Sequence, residues 1–263
     1  MTDATAFPPA PTSPHVVAER DGGVAVVRLA RPEKKNAMTS EMYAAVTSAW
    51  VAAEADDDVA VHLWLGQPGA FSAGNDIEEF LEAARTGQLS HAVVDFLKAL
   101  AGLEKPLVIG VDGLAIGVGT TALLHADLVI ASDRSTFRTP FLDLGLVPEA
   151  ASSLLAPIRM GHAAAFELLC LGAPFDAARA VATGLVNRAV PADQVEAQAR
   201  ETARALAKKP RQAMAAARRL LRAGHPTREA IVARIVDEAE EFGRRLKSPE
   251  AAAAFAAFMS RKG

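Results

Sequence analysis

Three short apolar segments, separated by helical patterns, constrain the fold of this chain more than any other feature. They cover residues 59–65, 107–111 and 128–131 and are rich in Val, Ile and Leu. Uninterrupted apolar runs of this length are typical of strands that are buried on both faces, as in parallel sheets. Strands that alternate with helices therefore predict an α/β fold with parallel pairing.

The flanking segments predict a hairpin before this core and a helical region after it. Residues 15–19 and 24–29 are strand-like, and the turn-forming sequence Arg20-Asp21-Gly22-Gly23 joins them. From Ala192 onward no strand pattern remains, and helices are predicted over 192–207, 210–223, 227–246 and 249–259. The predicted division is a disordered tail over 1–14, a core over 15–191 and a helical region over 192–263.

Composition excludes several classes of protein. About half of the 263 residues are apolar, and the net charge of -3 provides no basic field, so neither nucleic acid nor an anionic membrane is an expected partner. No apolar stretch has the length of a membrane span and no signal peptide is visible, so we expect a cytoplasmic protein. One cysteine excludes an internal disulfide, and the histidines lack metal-ligand spacing, so no metal is expected. Cys170 lies in an apolar run and is expected to be a buried helix residue. The histidines expected to be structural are His62, His91, His125 and His162.

Two glycine-containing segments lie at predicted strand-to-helix junctions, at residues 70–77 and 112–121. Small residues let the backbone approach a ligand closely, and the first turn of a helix has amide groups without an intrahelical acceptor. Either segment alone indicates no more than tight packing of a strand against a helix. Two such junctions side by side could direct two N–H groups at one oxygen atom.

Five motifs occur in a fixed order along the chain. They are Arg31-Pro32 with residues 35–38, then residues 71–77, 105–119, 126–131 and 182–186. In this order they resemble the motifs of the crotonase (enoyl-CoA hydratase/isomerase) family, over residues 15–260. The resemblance implies an α/β fold with a crotonase ββα-spiral core and a C-terminal α-helical trimerisation region. It also implies a homotrimer or a dimer of trimers that acts on an acyl coenzyme A thioester, without a permanently bound cofactor.

The resemblance also implies a set of binding residues. In that family two backbone N–H groups bind the thioester carbonyl, and the matching residues are Asn75 and Val118. Two preorganised donors stabilise an enolate oxygen by ~3 to 4 kcal/mol each, which makes removal of a neighbouring proton feasible. The family binds the adenine end of coenzyme A through main-chain groups, here at Ala37, Ala73 and Ile77. Basic candidates for phosphate contacts are Lys34, Lys35, Arg218 and Arg222.

The carboxylates distinguish between the reactions of the family. Hydratases use two glutamates, and the matching positions hold Thr121 and Phe141, neither of which transfers a proton at neutral pH. Residues 132–153 instead resemble the peroxisomal-type Δ3,Δ2-enoyl-CoA isomerases, whose base corresponds to Glu149. Apolar neighbours are expected to raise the pKa of Glu149 by desolvation, and one base suffices to move a proton from C2 to C4. The resemblance thus implies an isomerase that converts 3-enoyl-CoA to 2-enoyl-CoA.

Two alternatives stay open from the sequence. One is 2-enoyl-CoA hydration, or another reaction such as thioester hydrolysis, with Glu149 or Asp143 directing water. The other is a catalytically degenerate acyl-CoA binder, because Thr121 and Phe141 replace the acid/base residues of hydratases. Outside the family context, Glu149 would be interpreted as a carboxylate at the amino-terminus of a helix. Structural roles are expected for Asp76, as a helix cap, and for Asp127.

Overall fold

The computed structural model describes residues 7–9, 12–86 and 90–260 and contains two sheets. The strands are β1 (Val16–Asp21), β2 (Val24–Leu29), β3 (Val61–Leu65), β4 (Ala70–Ser72), β5 (Leu107–Val111), β6 (Leu114–Ile116), β7 (Leu128–Ser132), β8 (Thr136–Arg138), β9 (Phe175–Asp176) and β10 (Arg188–Val190). The larger sheet has the order β1-β2-β3-β5-β7-β10 and the smaller sheet the order β4-β6-β8-β9. Successive passes of the chain add a strand to the larger sheet and then one to the smaller sheet, which is a spiral.

The pairing of the strands determines which strand ends lie next to each other. β1 and β2 form the predicted antiparallel hairpin, whereas β2, β3, β5, β7 and β10 run parallel. β4, β6 and β8 are also parallel. Because parallel strands end at the same edge of a sheet, the segments that leave β4 and β6 lie next to each other.

The helices surround the sheets. They are α1 (Ser40–Ala55), α2 (Ile77–Thr86), α3 (His91–Ala101), α4 (Val118–Thr121), α5 (Ser152–Leu169), α6 (Ala177–Ala182), α7 (Val195–Ala207), α8 (Arg211–Arg222), α9 (Arg228–Leu246) and α10 (Pro249–Ser260). The hydroxyl of Thr39 caps α1 by accepting a hydrogen bond from the Met42 amide. Trp50 on α1 packs 5.2 Å from both Trp64 on β3 and Phe96 on α3, measured between ring centroids. This aromatic cluster fixes α1 and α3 against one face of the larger sheet.

Part of the carboxyl-terminal helical region packs into the core. Ala199 and Ala203 on α7 are fully buried against β3 and β5, so α7 covers the second face of the larger sheet. α9 packs on α3 and α2, and α10 packs on α9. α8 has no buried residue and is held to the core through Arg218, which pairs with Asp127.

The structure confirms the predicted strands and the four carboxyl-terminal helices, with small differences at their ends. The helix predicted from residue 192 begins at Val195, after a short 3-10 turn at Ala192–Gln194. Five short strands, β4, β6, β8, β9 and β10, were not predicted, because two or three residues carry too little periodicity. Within the predicted tail, Phe7 is buried and its amide donates to Asp56. Residues 1–6, 10 and 11 of that tail lie outside the described residues.

Two further expectations concern Cys170 and membrane spans. The prediction that Cys170 is a buried helix residue was wrong, since it is partly exposed and follows the last residue of α5. In the part of the chain that the structure describes, no helix is long and apolar enough to cross a membrane.

Candidate active site

A cavity of about 920 Å³ lies where the smaller sheet meets α9 and α10. One side is formed by the segments that follow β4 and β6. The opposite side is apolar and includes residues of the last two helices. The apolar lining comprises Ile77, Phe80, Phe141, Leu144, Leu146, Phe242, Ala254 and Ala257. A cavity of this size and polarity accommodates an extended apolar ligand.

The segments that leave β4 and β6 meet at two glycines. Gly74 and Gly117 have φ angles of +90° and +55°, a conformation that side chains strain. A β-carbon added to Gly117 would lie 3.9 Å from the Cα atom of Gly74, so the two backbones touch. The next residues, Asn75 and Val118, both line the cavity. Among the described residues, the amides of Asn75 and Val118 have no hydrogen-bond acceptor.

Hydrogen bonds hold Asn75 and the residue after it in place. The hydroxyl of Tyr43, which is buried in α1, donates to the Asn75 side-chain oxygen at 2.6 Å. The Asp76 amide donates to the Met38 carbonyl at 2.9 Å. Asp76 also accepts from the amides of Glu78 and Glu79 and therefore caps α2, as predicted. Asn75 thus belongs to a segment fixed on both sides.

Glu149 is a buried carboxylate that lines the cavity and, unlike Asp76, has a raised pKa. Only 8% of its surface is exposed, and it lines the cavity. Desolvation by burial raises its pKa to about 8; a hydrogen bond from Thr121 acts in the opposite direction, and repulsion by Glu238 adds to the rise. The Thr121 hydroxyl lies 2.5 Å from the Glu149 carboxylate. Near neutral pH this group can both accept and return a proton.

The backbone that follows Glu149 is strained. Ala150 and Ala151 are completely buried and have φ angles of +62° and +54°, in the left-handed region. For a residue other than glycine, this conformation costs roughly 1 to 2 kcal/mol. It persists only where surrounding groups fix it. The turn leads directly into α5, whose first amide, that of Ser152, donates to the Glu149 carbonyl at 3.0 Å.

Two side chains from distant elements fix this turn. Nε2 of His125 lies 2.7 Å from the Ala150 carbonyl, and because a carbonyl only accepts, Nε2 carries a hydrogen. Burial lowers the pKa of His125 to about 4, so the ring is neutral near pH 7. Glu238 on α9 accepts from the Ala151 amide at 2.6 Å, the Ser153 amide at 3.0 Å and the Ser153 hydroxyl at 2.5 Å. Burial raises the pKa of Glu238, and its hydrogen bonds to Ser153 and Ala151 oppose that rise.

The rim of the cavity is polar. Lys34 and Lys35 lie beside Ala37 and Ala73, and Lys34 is 3.5 Å from Glu78. On the other side, Asp143 is half-exposed and pairs with Arg138 at 2.8 Å.

The structure brings most of the predicted site residues to this one cavity. They are Asn75, Val118, Glu149, Ala37, Ala73, Ile77, Phe141 and Asp143. Thr121 lies behind the lining and contacts Glu149 instead. Arg218 and Arg222, which were considered for phosphate contacts, do not line this cavity and both pair with Asp127. That pairing agrees with the structural role expected for Asp127.

Sequence reasoning missed Tyr43, His125 as a support of the turn, and Glu238. A signal for Glu238 exists in the sequence, since it shares one helical stripe with Ile235, Phe242 and Leu246, all of which are buried. A carboxylate on the apolar stripe of a helix needs a buried partner. Among the described residues, no group of three or more His, Cys, Asp or Glu side chains is placed to hold a metal ion.

The chain is similar to known proteins of one family. The family model described as Enoyl-CoA hydratase/isomerase matches residues 19–261. The chain is 34% identical over 254 residues to Enoyl-CoA delta isomerase 2 of Rattus norvegicus, which covers 94% of the chain and 64% of that protein. The chain thus spans less than two thirds of that relative's length.

Solved structures extend the comparison. The structure of Pseudomonas aeruginosa OdaA superimposes with a TM-score of 0.88 at 40% identity, covering 94% of this chain and 99% of that one. An enoyl-CoA hydratase from Mycobacterium avium subsp. paratuberculosis K-10 superimposes with a TM-score of 0.82 at 28% identity, covering 94% and 96%. The fold therefore occurs in relatives named for different reactions.

Proposed function

Because the chain belongs to the enoyl-CoA hydratase/isomerase (crotonase) family, we propose that it shifts the double bond of a 3-enoyl-CoA thioester to the 2-position. The observation that carries the proposal is Glu149, a single buried carboxylate with a raised pKa on the wall of a largely apolar cavity. The coenzyme A thioester is the substrate, and the reaction calls for no resident cofactor.

In the proposed reaction, the amides of Asn75 and Val118 bind the thioester oxygen. The Glu149 carboxylate takes a proton from C2, and the electron pair of that C–H bond moves toward the thioester, giving a dienolate. Glu149, now protonated, returns the same proton to C4, and the double bond forms between C2 and C3. No atom is gained or lost. One residue performs both transfers, which requires a pKa near the operating pH.

The buried setting of Glu149 supports this chemistry. In the free protein near pH 7 a carboxyl with a pKa of about 8 is mostly protonated, so ionised Glu149 is a minor but strongly basic form. Phe141 and Thr121 occupy the positions where hydratases of the family place their glutamates. Phe141 lines the cavity and has no ionisable group. This arrangement favours proton transfer by one residue over the addition of water.

The test is a parallel assay of 3-enoyl and 2-enoyl thioesters of coenzyme A. We expect consumption of the 3-enoyl substrate and formation of the 2-enoyl product, without a 3-hydroxyacyl product. Glu149→Gln keeps the shape of the side chain and should lower kcat by about 10² to 10⁴-fold with little change in KM. Glu167→Gln, at an exposed glutamate paired with Arg179, is the matched control. Formation of a 3-hydroxyacyl product from the 2-enoyl substrate would instead identify a hydratase.

We also propose that the chain assembles as a homotrimer or a dimer of trimers. Large apolar side chains are exposed on two helices of the single chain, at Ile158 and Phe166 of α5 and at Leu220 and Leu221 of α8. Exposed apolar surface of this kind is typical of subunit interfaces. Light scattering should give the mass of three or six chains, and Leu221→Glu should lower it.

A further inference from the structure

Glu238 is a buried carboxylate for which the reaction itself has no use. It lies on α9, far along the chain from Glu149, and 7% of its surface is exposed. Its three hydrogen bonds all go to the turn that follows Glu149, at Ala151 and Ser153. Both carboxylate oxygens accept these bonds, which a neutral amide side chain with a single acceptor oxygen could not reproduce.

The contacts of Glu238 coincide with the strained backbone. Ala151, the residue before α5, has a left-handed φ and no side chain able to cap the helix. Glu238 supplies that cap from another element, because it accepts from the first free amides of α5. The His125 ring holds the adjacent Ala150 carbonyl. The residues on the carboxyl side of Glu149 are therefore fixed by side chains rather than by their own preference.

Among the described residues, few charged or titratable groups lie near the two carboxylates. Those facing Glu149 are Glu238 and the Tyr43 hydroxyl, whose pKa burial and the negative charge of Glu149 raise. Those facing Glu238 are Glu149 and Arg234, which also donates to the Ser153 hydroxyl at 3.1 Å. With three donors and a nearby guanidinium, Glu238 is the carboxylate better stabilised as an anion. Its charge then disfavours ionisation of Glu149.

We propose that Glu238 is a positioning residue, which holds the strained turn that places Glu149 at the cavity. Its negative charge should add to the effect of burial, which is the main reason that the Glu149 carboxyl is strongly basic. The proposal rests on the function assigned to Glu149 above. It does not require Glu238 to touch the substrate, and Glu238 is absent from the cavity lining.

The experiment compares the wild type with Glu238→Gln, in which the charge is lost and the shape retained. We expect the maximal kcat, taken on the high-pH plateau, to fall about 10 to 100-fold with KM changed less than about threefold, as for a lost contact that orients a catalytic group. We also expect the pH midpoint of kcat/KM to move to lower pH, because removal of the negative charge makes the Glu149 anion easier to form. Glu241→Gln, on the exposed side of the same helix, should change neither quantity.

A second readout does not depend on turnover. Infrared difference spectra during a pH titration report the protonated carboxyl band of Glu149, which Glu149→Gln identifies by its loss. Glu238→Gln should shift the midpoint of that band to lower pH. If this midpoint stays where it is in the wild type, or if the plateau kcat stays within about threefold of the control, the positioning role is wrong.

The two proposals can fail separately. A wild-type protein that does not convert the 3-enoyl substrate refutes the isomerase assignment, whereas the carboxyl titration still tests Glu238. If Glu238→Gln does not fold, Glu238→Asp retains the charge but is too short to reach both Ala151 and Ser153. It should lower the plateau kcat and leave the Glu149 midpoint nearly unchanged, and a wild-type kcat in this variant would overturn the positioning role.

Discussion

Replacing Glu149 by glutamine should stabilise the folded protein at alkaline pH while it abolishes activity. The carboxyl of Glu149 keeps its proton in the folded protein up to a pKa of about 8, whereas in the unfolded chain it loses that proton near the ordinary value of 4.5. Its contribution to the free energy of unfolding is therefore complete below pH 4.5, falls as the pH rises toward 8, and stays low above pH 8. Glutamine at this position remains neutral at every pH.

The magnitude follows from the two pKa values. The gap between 4.5 and about 8, at about 1.4 kcal/mol per pH unit, corresponds to roughly 4 to 5 kcal/mol. The free energy of unfolding of Glu149→Gln should thus match that of the wild type near pH 4 and exceed it by a few kcal/mol at pH 9. Thr121 can still donate to the side-chain oxygen of glutamine, so the neutral forms are closely matched.

Urea unfolding curves at pH values from 4 to 9 measure this difference, since contributions from all other groups largely cancel between the two proteins. An exposed substitution, Glu167→Gln, should track the wild type throughout. A difference between Glu149→Gln and the wild type that does not change with pH would contradict the reasoning, because it would mean that Glu149 is ionised in the folded protein at neutral pH.

Two further substitutions test the oxyanion site. Tyr43→Phe removes the hydroxyl that holds the Asn75 side chain. We expect the free energy of unfolding in urea to fall by about 1 to 2 kcal/mol and kcat to fall several-fold, with Thr47→Val on the same helix as the control. An unchanged kcat would show that the Asn75 side chain needs no anchor. Gly117→Ala places a side chain on a backbone with φ 55° and ψ -121°. We expect the free energy of unfolding to fall by about 1 to 3 kcal/mol. We also expect kcat to fall at least tenfold, because the Val118 amide is displaced. Gly224→Ala, where an added β-carbon meets nothing within 4 Å, is its control, and equal effects at both glycines would refute a special role for Gly117.

Local patterns predicted the parts of the site that belong to single segments. The glycine-containing junctions at 70–77 and 112–121 and the isomerase-like segment around Glu149 are short motifs, and the structure brings all three to one cavity. Thr121 shows the limit of prediction from local sequence patterns. The sequence marks it as a lost acid/base group, whereas the fold makes it a donor to Glu149. That role depends on the approach of α4 to the turn before α5, which no spacing along the chain encodes.

Contacts between distant segments are the part of the structure that the sequence could not show. Arg218 and Arg222 resemble free basic residues in the sequence, because Asp127, their partner, lies about 90 residues earlier. The partner of the turn at Ala151 lies 87 residues later, on α9. Buried charges of this kind are visible in the sequence only as exceptions to an apolar stripe, and their partners appear only once the fold is known.

The distance of 87 residues between Ala151 and Glu238 also has a meaning for biosynthesis. When a ribosome has just added Ala151, the support that α9 provides does not yet exist, and the turn beside Glu149 is free to relax. A growing polypeptide therefore carries an ordinary glutamate at this position. Its raised pKa requires burial in the folded chain and the approach of Glu238, so we expect this group to become strongly basic only once α9 has docked.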